Sequence, residues 1–212
     1  MGSAPGQLKL VKAGFVVLDQ SAAVQKIIAF QYNPETLVRR LDAGSANTSG
    51  TVVGSVVAGA AAASAAAHAV AAAAPITSSS PAEFVSFTLA LDATDKLERG
   101  DAVTQQNGLL PMISSLELLL YPQPNTLALW VSGNKRIVPV RINELLFNEQ
   151  AFDPLLNPIR AEVSVSLKVL KDADLPPGSH GRALWDTYYL QLQQLAKMLE
   201  ASTLGTLGIG GV

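Results

Sequence analysis

The stretch that decides the fold is residues 135–170, KRIVPVRINELLFNEQAFDPLLNPIRAEVSVSLKVL. In its second half every other position is apolar, and these positions are Ile159, Ala161, Val163, Val165, Leu167 and Val169. A period of two is what a strand with one buried and one solvent-facing side requires. The pairs Asp153-Pro154 and Asn157-Pro158 are typical of turns. We therefore predict two long antiparallel strands joined by a broad loop.

The remaining elements follow outwards from this pair. Alternating or apolar runs predict strands at 8–18, 24–30, 83–92 and 126–131. Helical spacing predicts an internal helix at 109–120 and an amphipathic helix at 182–201. The polar residues 92–101 indicate a loop, residues 172–181 indicate a linker, and Gly133-Asn134 indicates a two-residue hairpin turn.

The fold class that follows is α+β, mainly antiparallel β-sheet, with at least six strands, one internal helix and a C-terminal amphipathic helix. We expect a β-rich domain over residues 1–170, followed by a linker and helical arm over residues 171–212.

Residues 43–82 form an alanine-rich insert that contains no Asp, Glu, Lys or Arg. Alanine favours helix, which Pro75 would stop. Transfer of alanine from water to a bilayer gains little free energy, so the segment would be a poor transmembrane helix. The composition favours an insert that is flexible or ordered by a partner. A helix packed on its own domain and a membrane contact stay open, the latter as the least favoured.

Composition excludes several classes of function. The net charge of −2 gives no electrostatic basis for binding nucleic acid or an anionic membrane. The chain has no cysteine, which excludes disulfides and thiolate chemistry. The first residues show no basic region followed by an apolar core, so we expect cytoplasmic synthesis.

No motif for catalysis, cofactor binding or metal binding is evident. The sequence lacks a phosphate-binding loop, a dinucleotide fingerprint and a Gly-x-Ser-x-Gly elbow. His68 and His180 have no ligand partner nearby in sequence, so an ordinary role is favoured for both. The acidic residues between Asp92 and Asp101 miss the calcium-loop pattern, which favours a solvated loop over a cation or partner site. We expect no catalytic residue, no cofactor and no metal.

Four segments, taken in order, resemble a known group. They are Phe30-Gln-Tyr-Asn-Pro-Glu-Thr-Leu37, Phe87-Thr-Leu-Ala-Leu-Asp-Ala-Thr-Asp95, Leu127-Ala-Leu-Trp-Val-Ser-Gly133 and Asn157-Pro-Ile-Arg-Ala-Glu-Val-Ser-Val-Ser-Leu-Lys168. The group is the tail-adaptor proteins of contractile injection systems and contractile phages, whose larger members carry this β-rich domain before a LysM module.

The resemblance implies a baseplate component without catalytic activity, present in multiple copies and assembled into a particle that is retained in or released from the cell. Its implied partners are tail tube, spike hub, sheath and baseplate proteins. The residues after Leu170 show no LysM pattern, so no direct peptidoglycan binding is expected. The candidate contact residues are Phe30, Tyr32, Asn33, Pro34, Arg39, Arg40, Trp185, Tyr188 and Tyr189.

Three alternatives remain at this point. The Phe30 segment could serve folding alone, with Asn33-Pro34 ending a strand and the aromatic rings filling the core. The protein could be a small β-sheet module for an apolar ligand, which needs a cavity lined by Val85, Phe87, Leu89 and Val163. An enzyme of unfamiliar type is the third and least favoured, because the motifs supply no nucleophile, base and orienting group together.

Overall fold

The computed structural model describes residues 11–42, 81–121 and 124–199. Its strands are β1 (Gly14–Leu18), β2 (Val24–Ala29), β3 (Leu37–Asp42), β4 (Ala82–Asp92), β5 (Leu127–Val131), β6 (Ile137–Phe152) and β7 (Pro158–Val169). Its helices are α1 (Thr94–Glu98), α2 (Ala102–Asn107), α3 (Leu110–Glu117) and α4 (His180–Lys197).

All seven strands of the described residues join one antiparallel sheet in the order β2-β1-β5-β6-β7-β4-β3. This confirms the α+β class with mainly antiparallel sheet. The β6–β7 pair is its centre, as the sequence predicts, but the strands are longer than expected. Pairing continues from Val140 opposite Val169 out to Phe152 opposite Pro158, and the broad loop shrinks to residues 153–157.

The sheet curls around an aromatic core. The rings of Phe87 in β4 and Trp130 in β5 stack with centroids 5.7 Å apart, although β6 and β7 lie between those strands. Three strand spacings would separate the two backbones by about 14 Å in a flat sheet. Phe30 bridges the same cluster, 5.3 Å from Phe15 and 5.7 Å from Phe87. Side chains from both halves of the sheet therefore meet in one interior.

This core occupies the volume that an apolar ligand would need. Val85, Phe87, Leu89 and Val163 retain only 1, 5, 1 and 0% of their accessible surface. Each packs in the same cluster as the aromatic rings. An apolar ligand at this place would have to displace the aromatic side chains.

Several local predictions were wrong. The prediction of one internal helix fails, because three short helices, α1, α2 and α3, lie between β4 and β5. The polar run 92–101 is not simply a loop: it contains α1, and Asp101 caps α2 by accepting a hydrogen bond from the Thr104 N–H. Leu120, the last residue of the helix predicted at 109–120, follows α3 and is 41% exposed.

The sequence pattern does not predict β3, because the adjacent basic residues Arg39 and Arg40 are typical of exposed surface charge. Its six residues pair with β4 from Leu37 opposite Phe87 to Asp42 opposite Ala82. The turn after β5 holds three residues rather than two, because the Ser132 N–H donates to the Arg136 carbonyl and only Gly133 has a positive φ. The alanine-rich insert lies outside the described residues, except that Ala82 begins β4.

Among the described residues, none of the helices combines the length and apolar character needed to cross a membrane.

Candidate partner-binding surfaces

The segment 30–36, which carries the Phe-x-Tyr-Asn-Pro motif, connects the two edges of the sheet. It leaves edge strand β2 at Ala29 and enters the opposite edge strand β3 at Leu37. A flat seven-stranded sheet would place its edges about 29 Å apart. The eight Cα–Cα steps from Ala29 to Leu37 span at most about 26–29 Å. A flat sheet would need this segment to be fully extended, whereas in the curled sheet the segment lies across the opening between the two edges.

Two side-chain amides fasten this segment to the strands next to the edges, at the end of β4 and just before β1. Gln31 accepts from the Asp92 N–H at 3.0 Å and donates to the Asp92 carbonyl at 2.8 Å, where β4 extends beyond β3. Asn33 accepts from the Ala13 N–H at 2.8 Å and donates to the Val11 carbonyl at 2.9 Å, just before β1. Each amide supplies one donor and one acceptor, so it takes the place of a neighbouring strand's backbone.

The residues of the motif consequently divide by role. Phe30 is 2% exposed and belongs to the aromatic core, and Asn33 holds the backbone before β1. Pro34 is half-buried. Tyr32 is 49% exposed. Folding accounts for Phe30 and Asn33, and Tyr32 is the aromatic ring of the motif that is open to another protein.

Arg39 lies in a buried polar triad that links two strands to α4. Its Nε donates to Glu83 Oε1 at 2.8 Å, and its terminal nitrogen donates to the Tyr188 hydroxyl at 3.1 Å. Glu83, from β4, is only 4% exposed. Burial and the negative charge of Glu83 raise the pKa of Tyr188, so the phenol stays neutral and donates to Glu83 Oε2 at 3.4 Å. Arg40, by contrast, is exposed and pairs with Asp42 at 3.3 Å.

The first half of α4 is part of the core. Ser179 caps the helix by accepting from the Arg182 N–H. Gly181 is buried. A Cβ there would lie 3.0 Å from side-chain carbons of Leu127 and Leu175, so the helix packs closely at this position. Trp185 is 8% and Tyr188 3% exposed. Tyr189 is 51% exposed, and its ring stacks on Trp185 with centroids 6.4 Å apart.

The second half of α4 continues the same apolar stripe into solvent. Leu192 and Leu195 follow Tyr188 at spacings of four and three, which keeps them on one face of α4. Leu199 comes four residues after Leu195, just beyond the end of the helix at Lys197. The three leucines are 37, 43 and 81% exposed. The sequence predicts an amphipathic helix over residues 182–201, whereas α4 ends at Lys197 and burial along this face ends at Tyr188. The exposed stripe, defined as Leu192, Leu195 and Leu199, is the clearest unpaired apolar surface on α4.

Sequence reasoning missed a second apolar feature, at the tip of the β6–β7 hairpin. Leu155 is 73% and Leu156 79% exposed. Leu156 has a φ of 64°, a left-handed conformation that costs a side chain with a Cβ about 1–2 kcal/mol. Asp153 fixes the turn, since its Oδ1 accepts from the Leu155 and Asn157 N–H groups at 2.8 Å each. Asn157 also donates to Asp153 Oδ2, and these bonds lower the pKa of Asp153.

The other predicted features are placed as follows. His180 is the exposed first residue of α4, and His68 lies outside the described residues. Asp92 pairs with Arg160 at 3.1 Å, and the hydrogen bonds from Thr94 lower its pKa. Within the described part of the chain, no group of three or more His, Asp or Glu side chains is arranged to hold a metal ion.

No family model matches the sequence, and a search of curated proteins finds no match either.

Proposed function

We propose that this chain is a structural component of a phage-tail-like contractile injection particle, in which it joins the inner tube or spike hub to the surrounding baseplate and sheath. The motif order described above supports this function. The observation that carries it is the exposed stripe of α4. The chain buries the first part of one helix face in its own core and leaves the rest of that face, Leu192 to Leu199, for a neighbour.

The shape of α4 indicates what kind of partner surface fits it. Residues 189–197, the last nine of α4, make a helical segment about 14 Å long, too short to be a stable helix by itself. The triad of Arg39, Glu83 and Tyr188 and the burial of Trp185 already hold its base in place. Less ordering entropy is therefore lost on binding, which favours helix-in-groove recognition.

The low charge of this segment limits which partner surfaces can fit it. Lys197 is the only charged residue between Tyr189 and Leu199. A partner groove lined by apolar side chains matches such a helix, and a strongly charged groove does not. In this function the groove belongs to a neighbouring protein of the particle. Tyr32, exposed at the sheet opening, is the second contact that the proposal uses.

A sedimentation experiment tests the proposal. The chain carries a tag, native cells are lysed, and large particles are pelleted and examined for tube and sheath proteins. We expect the tagged chain in the pellet with those proteins. A double variant, Leu192→Ser with Leu195→Ser, should remain in the supernatant while the particles still form from other components or fail to complete.

Leu190→Ser is the matched control, because Leu190 is 56% exposed and lies on the opposite face of the helix. It should sediment like the wild-type chain. If the wild-type chain itself stays in the supernatant of cells that make such particles, the adaptor function is refuted. If the stripe variant sediments as well as the control, α4 is not the contact.

A further inference from the structure

Two hairpins of this chain have tips with the same backbone. In the β6–β7 tip, Leu156 N–H donates to the Asp153 carbonyl at 2.9 Å, and Asp153 N–H donates to the Asn157 carbonyl at 3.0 Å. In the β1–β2 tip the equivalent bonds, Ala22 to Asp19 and Asp19 to Ala23, measure 3.1 and 3.0 Å. The residue at the fourth position has a φ of 64° in both tips.

Comparing the two tips shows which side chains the turn requires. Asp begins both tips, and its Oδ1 accepts two backbone N–H bonds in each. The third and fourth residues are Ser21-Ala22 in one tip and Leu155-Leu156 in the other. Small residues therefore satisfy the turn. Two leucines exposed at 73 and 79% contribute nothing to it, and one of them is in an unfavourable conformation.

An apolar cleft of about 220 Å³ lies elsewhere on the same chain. Its lining combines five residues with apolar side chains or rings, which are Val17, Leu118, Leu119, Tyr121 and Ala128, with four polar residues, which are Gln25, Lys26, Ser115 and Thr126. Leu118 and Tyr121 are 50 and 64% exposed, so the cleft opens to solvent. Its volume is below the roughly 300–1,000 Å³ of small-molecule sites. A cleft of this size suits one or two inserted side chains.

Charge also matches the hairpin tip to this cleft. Lys26 lies in the cleft wall. The outer part of the hairpin, residues 148–162, contains Glu149, Asp153 and Glu162 but only one basic residue, Arg160, and Arg160 already pairs with Asp92. An acidic tip and a basic wall favour each other, and the same acidic tip disfavours an anionic lipid surface.

The hairpin tip does not reach the cleft of its own chain. The tip lies at the start of α3, where the Leu109 N–H donates to the Pro158 carbonyl. The cleft lies at the end of α3, beside Leu118, roughly 14 Å further along the helix at 1.5 Å per residue. We propose that Leu155 and Leu156 of one copy insert into this cleft of a second copy of the same chain.

Such a contact is head-to-tail, because different surfaces of the two copies meet. Repeated, it generates a closed ring or an open filament rather than an isolated pair. Two leucines make a small interface, well below the roughly 1,200 Å² of stable complexes. The purified chain is therefore expected to be largely monomeric, with the contact formed transiently or strengthened where other neighbours hold the copies together.

Because the sequence contains no cysteine, cross-linking tests the contact without background. Purified Pro154→Cys, which marks the tip, is mixed at high concentration with Gln25→Cys, which marks the cleft, and treated with a short bismaleimide. Each product is irreversible, so transient contacts accumulate. We expect the mixed dimer to exceed the dimers of each variant with itself.

The chain also supplies a matched control. Gln20 holds the position in the β1–β2 tip that Pro154 holds in the other, so Gln20→Cys mixed with Gln25→Cys should give only background product. Adding Leu155→Ser and Leu156→Ala to Pro154→Cys copies the small-residue tip, and should lower the mixed product by about tenfold or more.

Thermal melting checks that each variant is folded. Absence of the mixed dimer, or equal yields with and without the leucines, overturns the proposal. The experiment uses the purified chain alone, so its outcome is independent of the function proposed above.

Discussion

The amide of Asn33 gives the most direct test of how the curled sheet is held closed. Asn33→Ala removes two hydrogen bonds and leaves the Ala13 N–H without its partner, in a residue only 7% exposed. An unpaired buried donor costs about 1–3 kcal/mol, and the more exposed bond to Val11 contributes about 0.5 kcal/mol. We expect the free energy of unfolding to fall by about 1.5–3.5 kcal/mol, which lowers the Tm by roughly 3–14 °C in a domain of this size.

Urea denaturation followed by tryptophan fluorescence measures this loss, with Trp130 in the core as the reporter. Asn33→Asp retains the acceptor for Ala13 but has no donor for Val11, so it should lose less than Asn33→Ala. Tyr32→Ala is the control, because this ring is 49% exposed, and it should change the free energy by no more than about 0.5 kcal/mol. A loss below about 0.5 kcal/mol for Asn33→Ala would refute the role of the Asn33 amide in holding the curled sheet closed.

Three further predictions follow from the turns and the triad. Leu156→Gly should raise the free energy of unfolding by up to about 1 kcal/mol, because glycine adopts the left-handed backbone conformation without steric strain. Leu155→Gly should not raise it, and the midpoints of urea denaturation measure the difference. Tyr188→Phe should lower the free energy of unfolding by about 1 kcal/mol by removing the hydroxyl from Glu83, and an unchanged midpoint would contradict the triad. The pKa values of Asp19 and Asp153 are lowered by hydrogen bonds from Ser21 and Asn157 respectively. Their stabilisation is present above the unfolded pKa near 3.9 and is lost as pH falls through the folded values. Stability should drop as pH falls below about 4, and Asp19→Asn with Asp153→Asn should flatten that drop.

The sequence predicts what depends on local periodicity. The alternation of Val163, Val165 and Leu167 fixes the buried face of β7, and each of these residues is buried as expected. The stripe through Trp185 and Leu192 likewise predicts α4. These two elements can be predicted because the apolar face of a strand or helix is visible in the local sequence alone.

What depends on distant partners was missed. Arg39-Arg40 has the appearance of surface charge, but these residues lie in β3, which pairs with β4, and Arg39 meets a buried carboxylate 44 residues further along the chain. The start of β4 predicts a strand but gives no sign that Glu83 faces inwards. The tip leucines fall among turn residues, where periodicity carries no signal. Only the folded hairpin shows that Leu155 and Leu156 are exposed.

The position of the chain within a particle tests the central claim most directly. Particles purified from native cells that carry a C-terminal tag on this chain can be labelled with gold and imaged by electron microscopy. The adaptor function predicts label at one end of each particle, where tube, baseplate and sheath meet. Label along the whole length, or unlabelled particles with the tagged chain left in the supernatant, would contradict it.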